Sequence, residues 1–218
     1  MKTAMILAAG RGERMRPRTD WVPKPLQLVR GKPLIAWHLE NLAKAGFERV
    51  VINLGWLGGQ IRHYIQNGSA WRLQVFCSQE GGLPIGSAAG VRQALGLLGP
   101  VPFLLLSADI FTDFDWKSFS DRLLLPLNHP HLVLVQHDKF PVDFGLVGHR
   151  VVWPAQEGGT YANIGLYPAG FFETQPEVRE LGDLLRSAAV RGELTGEWFL
   201  GQWWNIGTQQ DWEQVNDY

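Results

Sequence analysis

Five basic side chains, Arg11, Arg14, Arg16, Arg18 and Lys24, fall within a stretch that holds only two acidic ones, Glu13 and Asp20. That local +3 sits in a chain of net charge −1, so positive charge is concentrated in one place. Just before and into it runs Leu7-Ala8-Ala9-Gly10-Arg11-Gly12, whose small side chains let the backbone approach a ligand and offer N–H groups to its oxygens. Such a loop suits a polyphosphate. The spacing is not that of a Walker A loop, since GxxxxGK[ST] is absent. Nor is it a dinucleotide fingerprint: the third glycine is missing, and the second apolar run ends in Asn53-Leu54-Gly55 without an acidic partner for a ribose. The competing reading is an ordinary glycine-bearing turn with solvated arginines, which a bare GxG would favour and five clustered cations disfavour.

Asp109 follows the apolar run Pro102 to Leu106, at the carboxyl end where open α/β sheets bind ligands. A carboxylate there suits Mg²⁺, which takes one or two carboxylates together with phosphate oxygens, whereas an isolated loop aspartate is more often simply solvated. His129, His131 and His137 have no acidic partner at i, i+4 and are not expected to hold a metal. Trp37, Trp56 and Trp212 lie at helical spacing and are expected in the core; Trp203 and Trp204 either line a pocket or pack. The lone Cys77 permits no internal disulfide, and no CxxC or Cys/His cluster points to zinc.

The elements that must position these residues follow from periodicity. Thr3 to Ala8, Arg49 to Leu54, Leu73 to Cys77 and Pro102 to Leu106 are apolar through most of their length, as strands buried on both faces are. Between them the pattern predicts a helix from Pro33 that stops at Gly46, and others near Leu57 to Gln66 and Ser87 to Leu97. This alternation implies right-handed βαβ crossovers and a largely parallel sheet, an α/β fold. From about His131 the pattern changes. Strands are predicted over His131 to His137, Phe144 to Val152 and Tyr161 to Tyr167, then a helix from Val178 to Arg191 and a short strand from Gln202 to Ile206. Thr208 and Asp211 open a terminal helix in the manner of a capping box. With no linker or repeat, residues 1–218 read as one domain whose halves are 1–128 and 129–218.

At 45% hydrophobic residues there is enough apolar material for a packed core, and a pI of about 6.6 argues against a general nucleic-acid binder. No apolar stretch is long enough to span a bilayer, and the opening run meets Gly10 and Arg11 without a cleavage-site pattern. A cytoplasmic protein with no nucleic-acid or membrane partner, monomeric or a small homo-oligomer, is therefore expected.

The segment Leu7-Ala8-Ala9-Gly10-Arg11-Gly12-Glu13-Arg14-Met15-Arg16-Pro17, followed by Pro23-Lys24-Pro25-Leu26, resembles the signature of the sugar-nucleotide pyrophosphorylase (nucleotidyltransferase) family. The resemblance implies a Rossmann-like three-layer sandwich with a mostly parallel central sheet, of the nucleotide-diphospho-sugar transferase type. It implies that Ala8, Ala9, Gly10, Gly12, Glu13 and Arg14 hold the triphosphate, with Arg14 and Lys24 neutralising charge at the reacting phosphates. Glu80 to Gly90 resembles the family's base-pocket loop, which would set Gly86 against the nucleobase and Glu80 or Gln79 at its edge. Ser87 there either binds the nucleotide or caps a helix. Asp143-Phe144-Gly145 and Asn163-Ile164-Gly165 resemble the strand pieces that flank the sugar, with Asp143, Gly145, Asn163 and Ser107 as implied substrate contacts. Asp109 and Asn205 would hold Mg²⁺.

Three departures stand out. Ser107-Ala108-Asp109 replaces Asn-Gly-Asp, Ala155-Gln156-Glu157 stands where Glu-Lys-Pro is usual, and Asn205 replaces an aspartate that supplies a second metal ligand. Asparagine offers a carbonyl oxygen without charge, so weaker metal affinity is expected. The resemblance implies coupling of a nucleoside triphosphate to a sugar 1-phosphate with release of pyrophosphate. Segments such as Asp20 to Leu26, Ile52 to Gly58 and Gly196-Glu197-Trp198 resemble the bacterial uridylyltransferases of cell-wall recycling, which implies UTP and N-acetylmuramic acid 1-phosphate. The alternatives are a glucose- or mannose-type nucleotidyltransferase and a nucleotide-sugar binding protein that has lost turnover.

Overall fold

The computed structural model describes residues 1–81 and 85–217. In the first half the order is β1 (Thr3–Leu7), α1 (Arg18–Trp21), β2 (Leu28–Val29), β3 (Lys32–Pro33), α2 (Leu34–Lys44), β4 (Arg49–Leu54), α3 (Gly58–Ile65), β5 (Gln74–Gln79), α4 (Ser87–Leu98), β6 (Phe103–Ser107), β7 (Ile110–Thr112) and α5 (Trp116–Arg122). The second half continues with β8 (His131–Val135), β9 (Gly145–Val147), β10 (Arg150–Val152), β11 (Thr160–Tyr167), α6 (Leu181–Val190), β12 (Thr195–Trp198), β13 (Trp203–Asn205) and α7 (Gln209–Asp217).

One sheet organises the molecule, in the order β5-β4-β1-β6-β11-β8-β12-β10-β9. From β5 to β6 every neighbour is parallel. Beyond β6 the sheet is mixed: β11 is antiparallel to β6 and β8, β12 runs parallel to β8, and β10 and β9 close the edge antiparallel. The mostly parallel sheet thus describes the nucleotide half. In the other half a two-residue turn with Gly148 at φ 60° joins β9 to β10, and so short a link can only make a hairpin.

Both faces of the central strands are buried, and the alternation shows which face each residue serves. Ala4 and Ile6 of β1 and Leu104 and Leu106 of β6 pack with Ile35 and Leu39 of α2, Ile61 of α3 and Phe119 of α5. Met5, Phe103 and Leu105 point the other way, onto Val91 of α4 and Leu184 of α6. Helices on both faces make three layers. A smaller cluster of Met15, Val29, Leu34, Ile206 and Val215 seats α7 behind the N-terminal loop. The capping box at α7 is present: Thr208 N and Oγ1 each donate to Asp211 Oδ2 at 2.7 Å, and Asp211 N donates to Thr208 Oγ1 at 3.2 Å. Among the described residues no helix is long and apolar enough to cross a membrane.

β12 and α5 are among the elements that escape the periodicity, as do the short α1, β2, β3 and β7. β12 reads Thr-Gly-Glu-Trp, too polar to announce a strand, yet its backbone completes the ladder beside β8. α5 is capped by Asp115, whose carboxylate accepts from Lys117 N at 3.1 Å and Ser118 N at 3.3 Å. The three tryptophans expected in the core are only half-buried. Trp56, Trp212 and Trp37 donate their indole N–H to the carbonyls of Thr19, Leu28 and Val29. Their other faces carry Arg11, Arg18 and Lys32 at 3.5, 4.0 and 4.1 Å from the ring centroids. An indole with a polar edge and a cation on its face fits a boundary better than a core.

Candidate active site

A cavity of about 630 Å³ opens at the carboxyl ends of β1 and β6. Leu7 is in register with both Asn53 and Ser107, so the ends of β4, β1 and β6 lie side by side on one rim. The loop after β1 (Ala8, Ala9, Gly10, Gly12) forms one wall, and none of the described residues lies within 4 Å of where a Gly10 Cβ would stand. Gly12, at φ 68°, hands its carbonyl to Thr19 Oγ1 at 2.8 Å and so turns the chain back on itself.

The cluster of cations is largely spoken for within this loop. Arg11 and Arg16 share Asp20, at 3.1 and 2.8 Å, and Arg18 stacks on Trp212. Arg14 is exposed, its guanidinium lying over Gly207, where a Cβ would come within 2.8 Å. Glu13 is exposed too, and neither Glu13 nor Arg14 is among the residues that line the cavity. Lys24 is the loop cation that lines it, and its Nζ lies 3.0 Å from Asp109 Oδ2.

Asp109 is held from several sides. Burial works against its ionisation, but the Lys24 ammonium and the Ser107 hydroxyl, which donates to Oδ1 at 2.7 Å, outweigh it and keep the carboxyl below its usual range. Beneath it His38 is buried and neutral, its pKa pushed down to about 4 by desolvation, and its Nε2 stands 3.3 Å from Ala108 O. Asn205 arrives from the far end of the chain: β13 pairs with β7, and Ile206 N donates to Asp109 O at 2.9 Å. Asn205 lines the same cavity, and its Oδ1 is buried with no hydrogen-bond donor among the described residues. An ionised carboxylate beside an amide oxygen that lacks a donor is a donor set fit for a hard cation. The fit rests on Asp109 and Asn205, with Lys24 balancing the charge.

At another wall Glu80 is buried. Asn53 reaches across to it, giving Nδ2–H to Glu80 Oε1 at 2.6 Å while its own Oδ1 accepts from Ala8 N at 2.7 Å. Burial pushes the Glu80 carboxyl up, against the pull of the Asn53 side chain and the Ile85 backbone N–H. The pair packs onto α4 because Gly90 has no side chain: a Cβ there would come within 2.5 Å of Glu80 Oε1. Gly86, at φ 99°, passes so close to the segment before α6 that a Cβ would meet Arg179 O at 2.6 Å. Ser87 is the first residue of α4 and joins the two helices, donating to Glu180 Oε2 at 2.9 Å and accepting from Leu181 N at 2.8 Å. Gln79 spends its amide on the carbonyls of Leu54 and Glu80. Gly82, Leu83 and Pro84 of this loop lie outside the described residues.

The remaining wall comes from the second half. Asp143 Oδ2 accepts from Tyr161 N at 3.0 Å, and both residues line the cavity. Asn163 lines it as well, with φ 57° in the middle of β11, where the pairing with β8 shifts register between Tyr161 and Gly165. Such a bulge re-aims one side chain out of the alternation. Gly145 instead packs within the hairpin, where a Cβ would sit 3.0 Å from both Ala155 Cβ and Val152 Cγ2, and it does not line the cavity.

The nucleotidyl transferase family model matches residues 3–218. The chain belongs to that family. Over 94% of its length it is 41% identical to the N-acetylmuramate alpha-1-phosphate uridylyltransferase of Neisseria meningitidis serogroup B, of which it covers 93%. Over 51% of its length it is 34% identical to the UTP–glucose-1-phosphate uridylyltransferase of Synechocystis, covering 31% of that protein. A UDP-glucose pyrophosphorylase solved with UDP-glucose superposes with a TM-score of 0.81 over 100% of this chain and 97% of the other; at 18% identity that likeness is one of fold.

In this nucleotidyl transferase the cavity also takes residues the sequence did not single out. Asn53 is one: a polar residue closing an apolar strand is a signal that it faces a site rather than the core. Thr160, Tyr161, Glu180 and Arg186 line the cavity without any local pattern to mark them.

Proposed function

We propose that this nucleotidyl transferase joins UTP to N-acetylmuramic acid 1-phosphate, forming the UDP-sugar and releasing pyrophosphate, with Mg²⁺ held by Asp109 and Asn205. The observation that carries the reading is the meeting of Lys24, Asp109 and the donorless Asn205 Oδ1 on one cavity. The substrates rest on the likeness to the Neisseria uridylyltransferase, which spans nearly the whole of both chains.

An oxygen of the sugar phosphate attacks the α-phosphorus, a new P–O bond forms, and the bond to the β-phosphate oxygen breaks with its electron pair leaving on pyrophosphate. The phosphate monoester is already largely ionised near neutrality, with a second pKa of about 6, so no side chain has to remove a proton. The work is alignment and charge neutralisation. Lys24 brings a positive charge to the reacting phosphates, Ser107 and Lys24 keep Asp109 ionised, and the Ala8 to Gly12 backbone offers N–H groups to the triphosphate. Bound Mg²⁺ would neutralise phosphate charge and hold the oxygens in line. At the base end a Glu80 carboxylate oxygen can accept the imide N–H of uracil, a hydrogen that cytosine lacks.

Pyrophosphate release with Mg²⁺ tests this, using UTP, ATP, GTP, CTP and dTTP against sugar 1-phosphates of the N-acetylmuramate, N-acetylglucosamine, glucose and mannose types. Turnover is expected to peak with UTP and the N-acetylmuramate form. Preference for another pair would overturn the substrate assignment, and silence with every pair despite UDP-sugar binding would overturn the activity.

A further inference from the structure

N-acetylmuramic acid differs from glucose, mannose and N-acetylglucosamine in carrying a carboxylate, on a lactyl ether at C3. Resting on the substrate reading above, we propose that Arg186 is the residue that recognises this carboxylate and so selects the acidic sugar. The described residues that line the cavity include two cations, Lys24 and Arg186. Lys24 is engaged with Asp109 at the phosphate end. Arg186 stands on a different wall, one turn along α6 from Gly182, and Leu181 and Leu185 of the same helix pack in one cluster with Phe144 and Tyr161 beside Asp143.

The geometry around Arg186 suits capture of an anion. Its guanidinium lies over Gly182, which also lines the cavity; a Cβ at Gly182 would come within 3.5 Å of Nη2 and 3.6 Å of Nη1. The missing side chain leaves the planar fork room at the cavity edge. One hydrogen bond, from Nη2 to Asp183 Oδ1 at 2.8 Å, holds it there, and with side chains 40% and 60% exposed this i, i+3 pair is a weak competitor. The acidic groups on the same walls are occupied: Asp143 accepts from Tyr161 N, and Glu180 accepts from Ser87 N and Oγ. A sugar held by its 1-phosphate near Lys24 directs its C3 substituent away from that end. Arg186 can then take the carboxylate through two parallel N–H···O bonds, which a neutral sugar cannot offer.

The test is the steady-state kinetics of Arg186→Gln and Arg186→Lys. In Arg186→Gln the KM for N-acetylmuramic acid 1-phosphate should rise roughly 10- to 100-fold, the range for losing a charged hydrogen bond. The KM for UTP and the Ki of N-acetylglucosamine 1-phosphate as a competing ligand should stay within about twofold, because neither meets Arg186 and both report an intact site. Arg186→Lys keeps the charge without the fork and should fall between. An unchanged KM for the acidic sugar, or equal weakening of both sugars, overturns the assignment while leaving the activity standing. A wild-type enzyme that ignores N-acetylmuramic acid 1-phosphate but uses another sugar 1-phosphate overturns the substrate reading and this one with it.

Discussion

Replacing Asn53 by alanine should unfasten the base wall of the cavity from the phosphate loop. The amide is buried and makes two bonds, accepting from Ala8 N at 2.7 Å and donating to Glu80 Oε1 at 2.6 Å. In Asn53→Ala the Ala8 N–H loses its acceptor in a buried position, at about 1 to 3 kcal/mol, and Glu80 loses a donor to a charged oxygen, at about 1.5 to 3 kcal/mol. Relaxation and entering water offset some of this, so a loss of about 3 to 5 kcal/mol is expected, or roughly 10 °C in Tm for a chain of this size. Urea denaturation at pH 7 gives the first number and calorimetry the second. Asn53→Asp separates the two bonds: its carboxylate still accepts from Ala8 N but faces Glu80 where a donor stood. Repulsion then raises the folded-state pKa of the pair above its unfolded value. The pair's contribution is therefore present below about pH 4 and lost as pH rises through the raised value. Asn53→Asp should thus approach wild-type stability in mild acid and fall away towards pH 8. A loss below about 1 kcal/mol in Asn53→Ala, or a pH-independent deficit in Asn53→Asp, would refute the bridge as an energetic element.

Lys24→Ala and Asp109→Ala should each lower kcat at least about 100-fold with a folded protein by circular dichroism; near-wild-type turnover in either would remove it from the chemistry. Asn205→Asp supplies the charge that the amide lacks and should lower the Mg²⁺ concentration for half-maximal rate by about tenfold, read from metal titrations of activity. Asp211→Asn should cost about 2 to 4 kcal/mol near pH 7, because Asp211 pairs with Lys139 and accepts from Gly207 N, Thr208 N and Thr208 Oγ1. Although burial opposes it, the Lys139 and Thr208 bonds hold the Asp211 carboxyl below its usual range. Its contribution is therefore present above the unfolded value of about 3.9 and lost as pH falls through the folded one, so the deficit should shrink in acid unfolding measured between about pH 5 and 2. Gly86→Ala should destabilise by about 1 to 3 kcal/mol, since φ 99° and the 2.6 Å approach to Arg179 O leave no room for a Cβ; an unchanged melt would mean the loop simply shifts.

Local chemistry by itself determined much of this protein. The apolar runs at Thr3, Arg49 and Pro102 declared buried strands because both faces needed covering, and the capping box at Thr208 and Asp211 is a contact between residues three apart. The glycine loop and Lys24 were legible because a short segment carries both the backbone shape and the charge. Tertiary structure alone decided where that charge goes. Asp20, Trp56 and Trp212 take up Arg11, Arg16 and Arg18, Arg14 lies over Gly207, and Lys24 faces Asp109 across 85 positions of sequence. Asn205 meets Asp109 only because β13 pairs with β7, and Asn53 meets Glu80 only because β4 and β5 run parallel in register. Arg186 carries no local mark, since an arginine on an amphipathic helix looks the same whether it faces water or a cavity. Its role depends on what packs opposite, and that is set by long-range pairings that no window of neighbouring residues contains.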